Sequence, residues 1–186
     1  RQFGNLKPIE EHYASMKKWL DYMKSKYMKD GILNKDNYGD WCMPPADPKL
    51  IHSEDPTKQT AGDYLGTAFY YRMIQLMEHF ARLTGNIQDE KEWSDQSAEI
   101  RESFNRKYLN PANDEYSNNT VTANVFALSY ALAPDSIRAK VFQHIVDKTM
   151  GEFKGHISTG LVGGQWLMRT LTDNGRPDIA YRLATN

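Results

Sequence analysis

The sequence predicts an all-α fold of antiparallel helix pairs, set in two concentric layers as part of an α/α toroid. Three observations predict it. Apolar residues recur at spacings of three and four along most of the chain, the period of a helix face. No stretch shows sustained strand alternation. Amphipathic helices alternate with more apolar ones, the order expected when each outer helix covers an inner one.

The first helix is expected over 8–28. Pro8 suits its first turn, Glu10 and Glu11 sit near the positive end of its dipole, and Asp30-Gly31 stops it. Ile9, Tyr13, Met16, Leu20, Met23 and Tyr27 form one apolar stripe. A long loop with Pro44, Pro45, Pro48 and Pro56 follows over 32–58. A second helix over 59–84 presents Ala61, Leu65, Ala68, Tyr71, Met73, Leu76 and Phe80, with Gly85 as its stop. A third, over 88–108, turns Trp93, Ile100, Phe104 and Tyr108 inward, and a polar turn runs from Asn110-Pro111 to Asn119.

Residues 120–132 form a shorter and almost wholly apolar helix, expected to be buried on most sides. Pro134-Asp135-Ser136 opens a helix to about Met150, with Val141, Ile145 and Val146 inward. Gly155 to Gly164 reads as a glycine-rich loop or helix entry. Helices over 165–173 and from Pro177 onward complete about seven helical segments. No fixed-period repeat appears, which argues against a tetratricopeptide-type array.

Composition narrows the partners. The 186 residues carry 23 basic and 24 acidic side chains, a formal charge of −1. No basic stripe is present to recruit phosphates, so no nucleic-acid partner is expected. Mean hydropathy is −0.70, and no apolar run reaches spanning length, so no membrane partner is expected either. Cys42 is the sole cysteine, which excludes an internal disulfide. His12, His52, His79, His144 and His156 never pair at ligand spacing, so neither a metal nor any other cofactor is expected. Asn118-Asn119-Thr120 fits a glycosylation sequon, a weak pattern. The chain opens on Arg1-Gln2-Phe3 and closes inside a helical pattern, and reads as one partial domain, 1–186, of a longer protein.

The long loop carries the densest chemistry. Asn37, Tyr38, Gly39, Asp40 and Trp41 place a carboxylate and a large aromatic ring where the chain turns. Asp40 with Trp41 suits a carboxylate that orients a sugar beside a stacking surface; it equally suits an Asx turn under a buried tryptophan. Acid catalysis on a sugar needs a second carboxylate roughly 5–9.5 Å away. Glu54 and Asp55, in the same loop, read as solvated charges. His156 stands in a small-residue stretch where a ligand could approach the backbone. Gly160-Leu161-Val162-Gly163-Gly164 lacks the order and the preceding strand of a phosphate loop, so its small residues are expected to permit a close helix crossing.

Taken together, four stretches resemble the bacterial α-L-rhamnosidases, a glycoside hydrolase family with an (α/α)6 barrel. Tyr38-Gly39-Asp40-Trp41 is similar to that family's Y-G-D-W loop, and Thr122-Ala123-Asn124 to its T-A-N helix. Gly155-His156 through Gly163 is similar to its G-H-x-x-T-G-F-x-G loop, with Leu161 where phenylalanine is usual. Gly175 through Tyr181 is similar to its G-x-x-D-x-A-Y helix start. Order and spacing agree over nearly the whole chain.

The resemblance implies an inverting hydrolase of terminal α-L-rhamnose, with Tyr38, Asp40, Trp41 and His156 as substrate-binding residues and a rhamnosylated glycan or glycoside as carbohydrate partner. It implies a general acid before this segment and a general base after it, so that no catalytic residue lies within and the rest of the same barrel is the other partner. A periplasmic or extracellular setting is then favoured over a cytoplasmic one. Two readings compete: another (α/α)6 glycosidase with a different sugar, or a noncatalytic helical module that binds carbohydrate or protein.

Overall fold

The computed structural model describes residues 4–36, 38–47 and 49–186. The turn expected at Asn37 and the stiffening expected from Pro48 lie outside the described residues. Among the described residues are seven α-helices: α1 (Lys7–Tyr27), α2 (Gly62–Thr84), α3 (Ile87–Tyr108), α4 (Val121–Ser129), α5 (Arg138–Asp147), α6 (Leu161–Asp173) and α7 (Pro177–Thr185).

Two layers are present. Helices α2, α4 and α6 lie side by side, and α3, α5 and α7 each pack across one of them, while α1 packs on α2. The inner members are the more apolar, as the alternation predicts. Helix α4 is buried at every position from Val121 to Leu128. Helix α3 buries only Trp93, Gln96, Ile100, Phe104 and Tyr108, a single stripe at helical spacing. An aromatic cluster joins the three inner helices. Phe126 of α4 meets Phe69 of α2 at 5.2 Å between ring centroids, Trp166 of α6 at 6.4 Å and Tyr130 at 5.0 Å. A second cluster fixes α3 on α2, where the Phe104 ring lies 4.7 Å from Tyr64 and 4.9 Å from Tyr108.

Several boundaries differ from the sequence expectation, each for a physical reason. The chain does not enter a loop at residue 32. Asp30 and Gly31 both take left-handed φ, and they turn a short antiparallel hairpin of β1 (Met28–Lys29) and β2 (Ile32–Leu33). This is the two-residue turn that Asp-Gly favours. A second hairpin, β3 (Leu109–Asn110) with β4 (Glu115–Tyr116), occupies the polar turn. Helix α2 starts at Gly62 because Ala61 is extended as its N-cap, with a φ of −63° and a ψ of 149°, and Thr60 is engaged by Asp40 and Thr120. Helix α4 stops at Ser129, and Ala131 follows in the left-handed region. Helix α6 starts at Leu161, four residues before the expected Gln165, so the glycine-rich stretch is the helix's first turn.

The expected face of α2 is half right. Leu65, Ala68 and Tyr71 are buried, yet Leu76 is 37% exposed, while Tyr64, Tyr70, Ile74 and Met77 are fully enclosed. Neighbours cover α2 on several sides, so burial follows contacts and not one stripe. On α1 only Leu20 of the expected stripe is buried. Met16, Trp19, Met73, Leu76 and Phe80 instead line an open apolar groove of about 330 Å³ between α1 and α2.

Candidate functional site

The inner helices α2, α4 and α6 begin at the same end of the molecule, and their entries touch. The Thr60 and Thr120 hydroxyls share a 2.6 Å hydrogen bond just before α2 and α4. Thr120 also caps α4, accepting from the Ala123 amide. The buried Tyr64 hydroxyl donates to the Ala123 carbonyl at 2.7 Å, and burial holds its pKa well above the ordinary phenol value, so it remains a donor.

The loop with Tyr38, Asp40 and Trp41 lies over this end. Asp36 Oδ1 accepts from the Tyr38 amide at 2.8 Å and the Gly39 amide at 3.2 Å, an Asx turn. The Gln59 side chain donates to the Tyr38 carbonyl at 2.6 Å, and the Asp40 amide to the Thr60 carbonyl at 3.1 Å. These bonds bind the loop to the entry of α2.

Asp40 then reaches inward. It is 0% exposed, and its carboxylate closes the N-terminus of α6. Oδ1 accepts from the Val162 and Gly163 amides, both at 3.0 Å. Oδ2 accepts from the Gly160 amide at 2.8 Å and from the Thr122 hydroxyl. The Leu161 amide donates to the Trp41 carbonyl at 3.0 Å. A helix leaves its first amides without internal partners and concentrates positive potential there. Here Asp40 and Trp41 satisfy them from 120 residues away in sequence, doing what the side-chain-free Gly160 cannot. The close approach needs glycine. A Cβ on Gly160 would run into the Trp41 carbonyl and the Asp40 carboxylate, and one on Gly163 into Thr122.

The expected site residues are therefore placed unequally. Tyr38, Asp40 and Trp41 come together around a cavity of about 370 Å³, walled also by Met43, His52 and Glu54. Tyr38 is 74% exposed and Trp41 48%. Of the three, Asp40 meets the cavity as its anchored base, with its oxygens turned to protein donors. His156 is exposed on another loop, where its amide donates to the Phe153 carbonyl, and it does not line this cavity. Asp55 is exposed, as expected of a solvated charge, and it also caps a short turn. It accepts from the Thr57 hydroxyl at 2.7 Å and the Thr57 amide at 2.9 Å, and those bonds lower its pKa, the hydroxyl first.

Thr122, Gly160 and Gly163 are the site residues that sequence reasoning missed as a unit. The signal available was glycine at Gly160, Gly163 and Gly164 beside a helix start; helix α4 approaches at Gly163 through Thr122, as a close helix crossing requires, while the loop of Asp40 and Trp41 approaches at Gly160. Asn124, third of its motif, faces the other way. Its side chain donates to Asn119 Oδ1 at 2.7 Å and accepts from the Tyr116 amide, which holds the β4 turn. Among the described residues no group of three or more His, Cys, Asp or Glu side chains could hold a metal ion, and no helix is long and apolar enough to cross a membrane.

Comparison with known proteins places this arrangement. Residues 1–186 match the family model described as the bacterial alpha-L-rhamnosidase 6 hairpin glycosidase domain. An alpha-L-rhamnosidase of Streptomyces avermitilis is 29% identical over 183 residues, covering 97% of this chain and 16% of the relative. Among solved structures, an alpha-L-rhamnosidase from Dictyoglumus thermophilum superposes with a TM-score of 0.84 at 25% identity, covering 97% of this chain and 20% of that one. The Streptomyces avermitilis alpha-L-rhamnosidase complexed with L-rhamnose gives 0.84 at 27% identity, covering 99% and 16%. The chain thus spans about a fifth or less of the length of the relatives it matches. Its helix pairs have the six-hairpin fold of those structures.

Proposed function

The chain belongs to the bacterial alpha-L-rhamnosidase six-hairpin glycosidase family, and we propose that it supplies one part of a catalytic barrel that removes terminal α-L-rhamnose. The observation that carries the proposal is the half-exposed Trp41, held on a clamped loop over the common entry of three inner helices. An indole or phenol face offers a flat apolar surface to the C–H face of a sugar, with a polar edge for its hydroxyls. Trp41 and Tyr38 are the wall in this reading. His156 is a rim contact, whose loss should weaken binding less than that of Trp41. The rhamnose in the Streptomyces avermitilis complex supports a carbohydrate ligand.

The reaction in this proposal is inverting, with a general acid and a general base on opposite sides of the sugar. Both come from the barrel outside residues 1–186. The carboxylates lining the cavity support that division, since Asp40 is saturated by protein donors and Glu54 alone does not make the pair that the reaction needs. The apolar groove between α1 and α2 fits the same picture. Each of α3, α5 and α7 covers an inner helix, whereas α1 packs on α2 and leaves an open groove lined by the half-buried Met16 and the exposed Trp19. We assign that groove to an inner helix of the same barrel.

The test uses the complete enzyme carrying this segment and an aryl α-L-rhamnoside, followed by proton NMR. Wild type should release β-L-rhamnose first, the inverted anomer. Trp41→Ala should lower kcat/KM on the order of 10- to 100-fold with the melting temperature unchanged. A melting loss with full activity at low temperature would make Trp41 a packing residue, and first release of the α anomer would exclude inversion.

A further inference from the structure

We propose that Asp40 and Thr122 are positioning residues for the glycosidase reaction: together they fix the Trp41 wall against the N-terminus of α6, and neither side chain touches the sugar. The inference rests on the rhamnosidase reading above and revises the expectation that Asp40 is itself a sugar ligand.

The geometry is that of a filled carboxylate. An ionised carboxylate offers about four acceptor directions. For Asp40 these go to the amides of Gly160, Val162 and Gly163 and to the Thr122 hydroxyl. With the side chain 0% exposed, a sugar hydroxyl has neither a lone pair nor a path to it. What the four bonds fix is the next residue. Trp41 is tied before its Cα by the Asp40 side chain and after it by its own carbonyl, which accepts from Leu161. Cys42 then takes a left-handed φ of 58° and turns the chain away. The indole is thus carried by a backbone held at both ends, which leaves its side chain as the part free to meet a ligand.

Thr122 extends the clamp to a third element. Its hydroxyl comes from the first turn of α4, 82 residues from Asp40, so one carboxylate joins the loop, α4 and α6. Removing that hydroxyl leaves the amide bonds in place but empties one acceptor direction of Oδ2, which keeps the Gly160 amide, and alters the contact at Gly163. Small displacements of a positioning surface are costly to catalysis even when the fold survives.

The experiment compares Thr122→Val, Thr122→Ser and Asp40→Asn in the complete enzyme, well below the melting transition. Kinetics on 4-nitrophenyl α-L-rhamnoside are paired with hydrogen exchange of peptides spanning 38–43 and 159–164. Thr122→Val, the milder variant in case Asp40→Asn fails to fold, should raise KM on the order of tenfold and speed exchange in both peptides. Thr122→Ser should restore both readings. Asp40→Asn should lower kcat/KM on the order of a hundredfold. Faster exchange with unchanged KM and kcat would reduce the clamp to a structural role and overturn the proposal, as would unchanged exchange in Thr122→Val. A wild-type enzyme inert on every rhamnoside would instead sink the rhamnosidase reading and the catalytic half of this one, while faster exchange in Thr122→Val would still uphold the clamp.

Discussion

Gly160→Ala is expected to destabilise the barrel by about 3 kcal/mol, at the upper end of the usual cost of overpacking. Two effects oppose each other. Alanine restricts the unfolded chain more than glycine, which alone would stabilise by about 0.4–1 kcal/mol, and the backbone here has a φ of −75° that alanine accepts. Against this, the new methyl would meet the Trp41 carbonyl and the Asp40 carboxylate. Neither group can yield cheaply. The carbonyl accepts from Leu161, and the carboxylate holds the amides of Gly160, Val162 and Gly163. The steric cost wins because relief would uncover amides at the N-terminus of α6. Chemical denaturation of the complete enzyme reads this. A neutral or stabilised variant would mean that the loop does not press on α6 as closely as described.

Phe126→Ala is expected to cost about 3–5 kcal/mol, the range for deleting a buried aromatic side chain. Phe126 is 0% exposed and touches rings from both flanking inner helices. Its loss opens a cavity at the one place where α2, α4 and α6 meet through side chains of the same kind, and a close-packed interior relaxes only partly around such a void. Phe69→Ala is the control. Phe69 sits in the same cluster but is 36% exposed, so water already meets part of it and the loss should be less than half as large. Equal losses would show that the cluster does not hold the three helices together as a buried core.

The helical frame was legible because it is written in local periodicity. Trp93, Ile100, Phe104 and Tyr108 lie where a 3.6-residue period puts them, and the apolar stretch from Val121 proved to be the most enclosed helix. The start of α6 was not legible. Glycine is a poor helix former in isolation, so Gly163 and Gly164 read as either loop or helix entry until Asp40 supplies the missing cap from a distant segment. The Asp30-Gly31 hairpin did carry its signal, since Asp-Gly is a favoured hairpin turn, but β1 and β2 are only two residues each and show no alternation.

The site divided along the same line. That Tyr38, Asp40 and Trp41 belong together follows from their adjacency, and a long proline-rich loop marks them as functional candidates. Which of them faces outward does not follow. A carboxylate beside a tryptophan reads as ligand or as anchor until its partners are known, and the partners of Asp40 lie 82 to 123 residues away. His156 shows the converse. Its small-residue setting suggested a ligand contact; at the end of that loop Gly160 admits Trp41 and Asp40, while the exposed His156 keeps the rim role proposed above.

The most direct test of the account is a crystal structure of the complete enzyme with L-rhamnose bound. The account predicts the sugar against the Trp41 indole, with carbon atoms within about 4.5 Å, and the Asp40 carboxylate still on the amides of Gly160, Val162 and Gly163. A sugar bound away from Trp41, or an Asp40 turned out to hold a sugar hydroxyl, would contradict it.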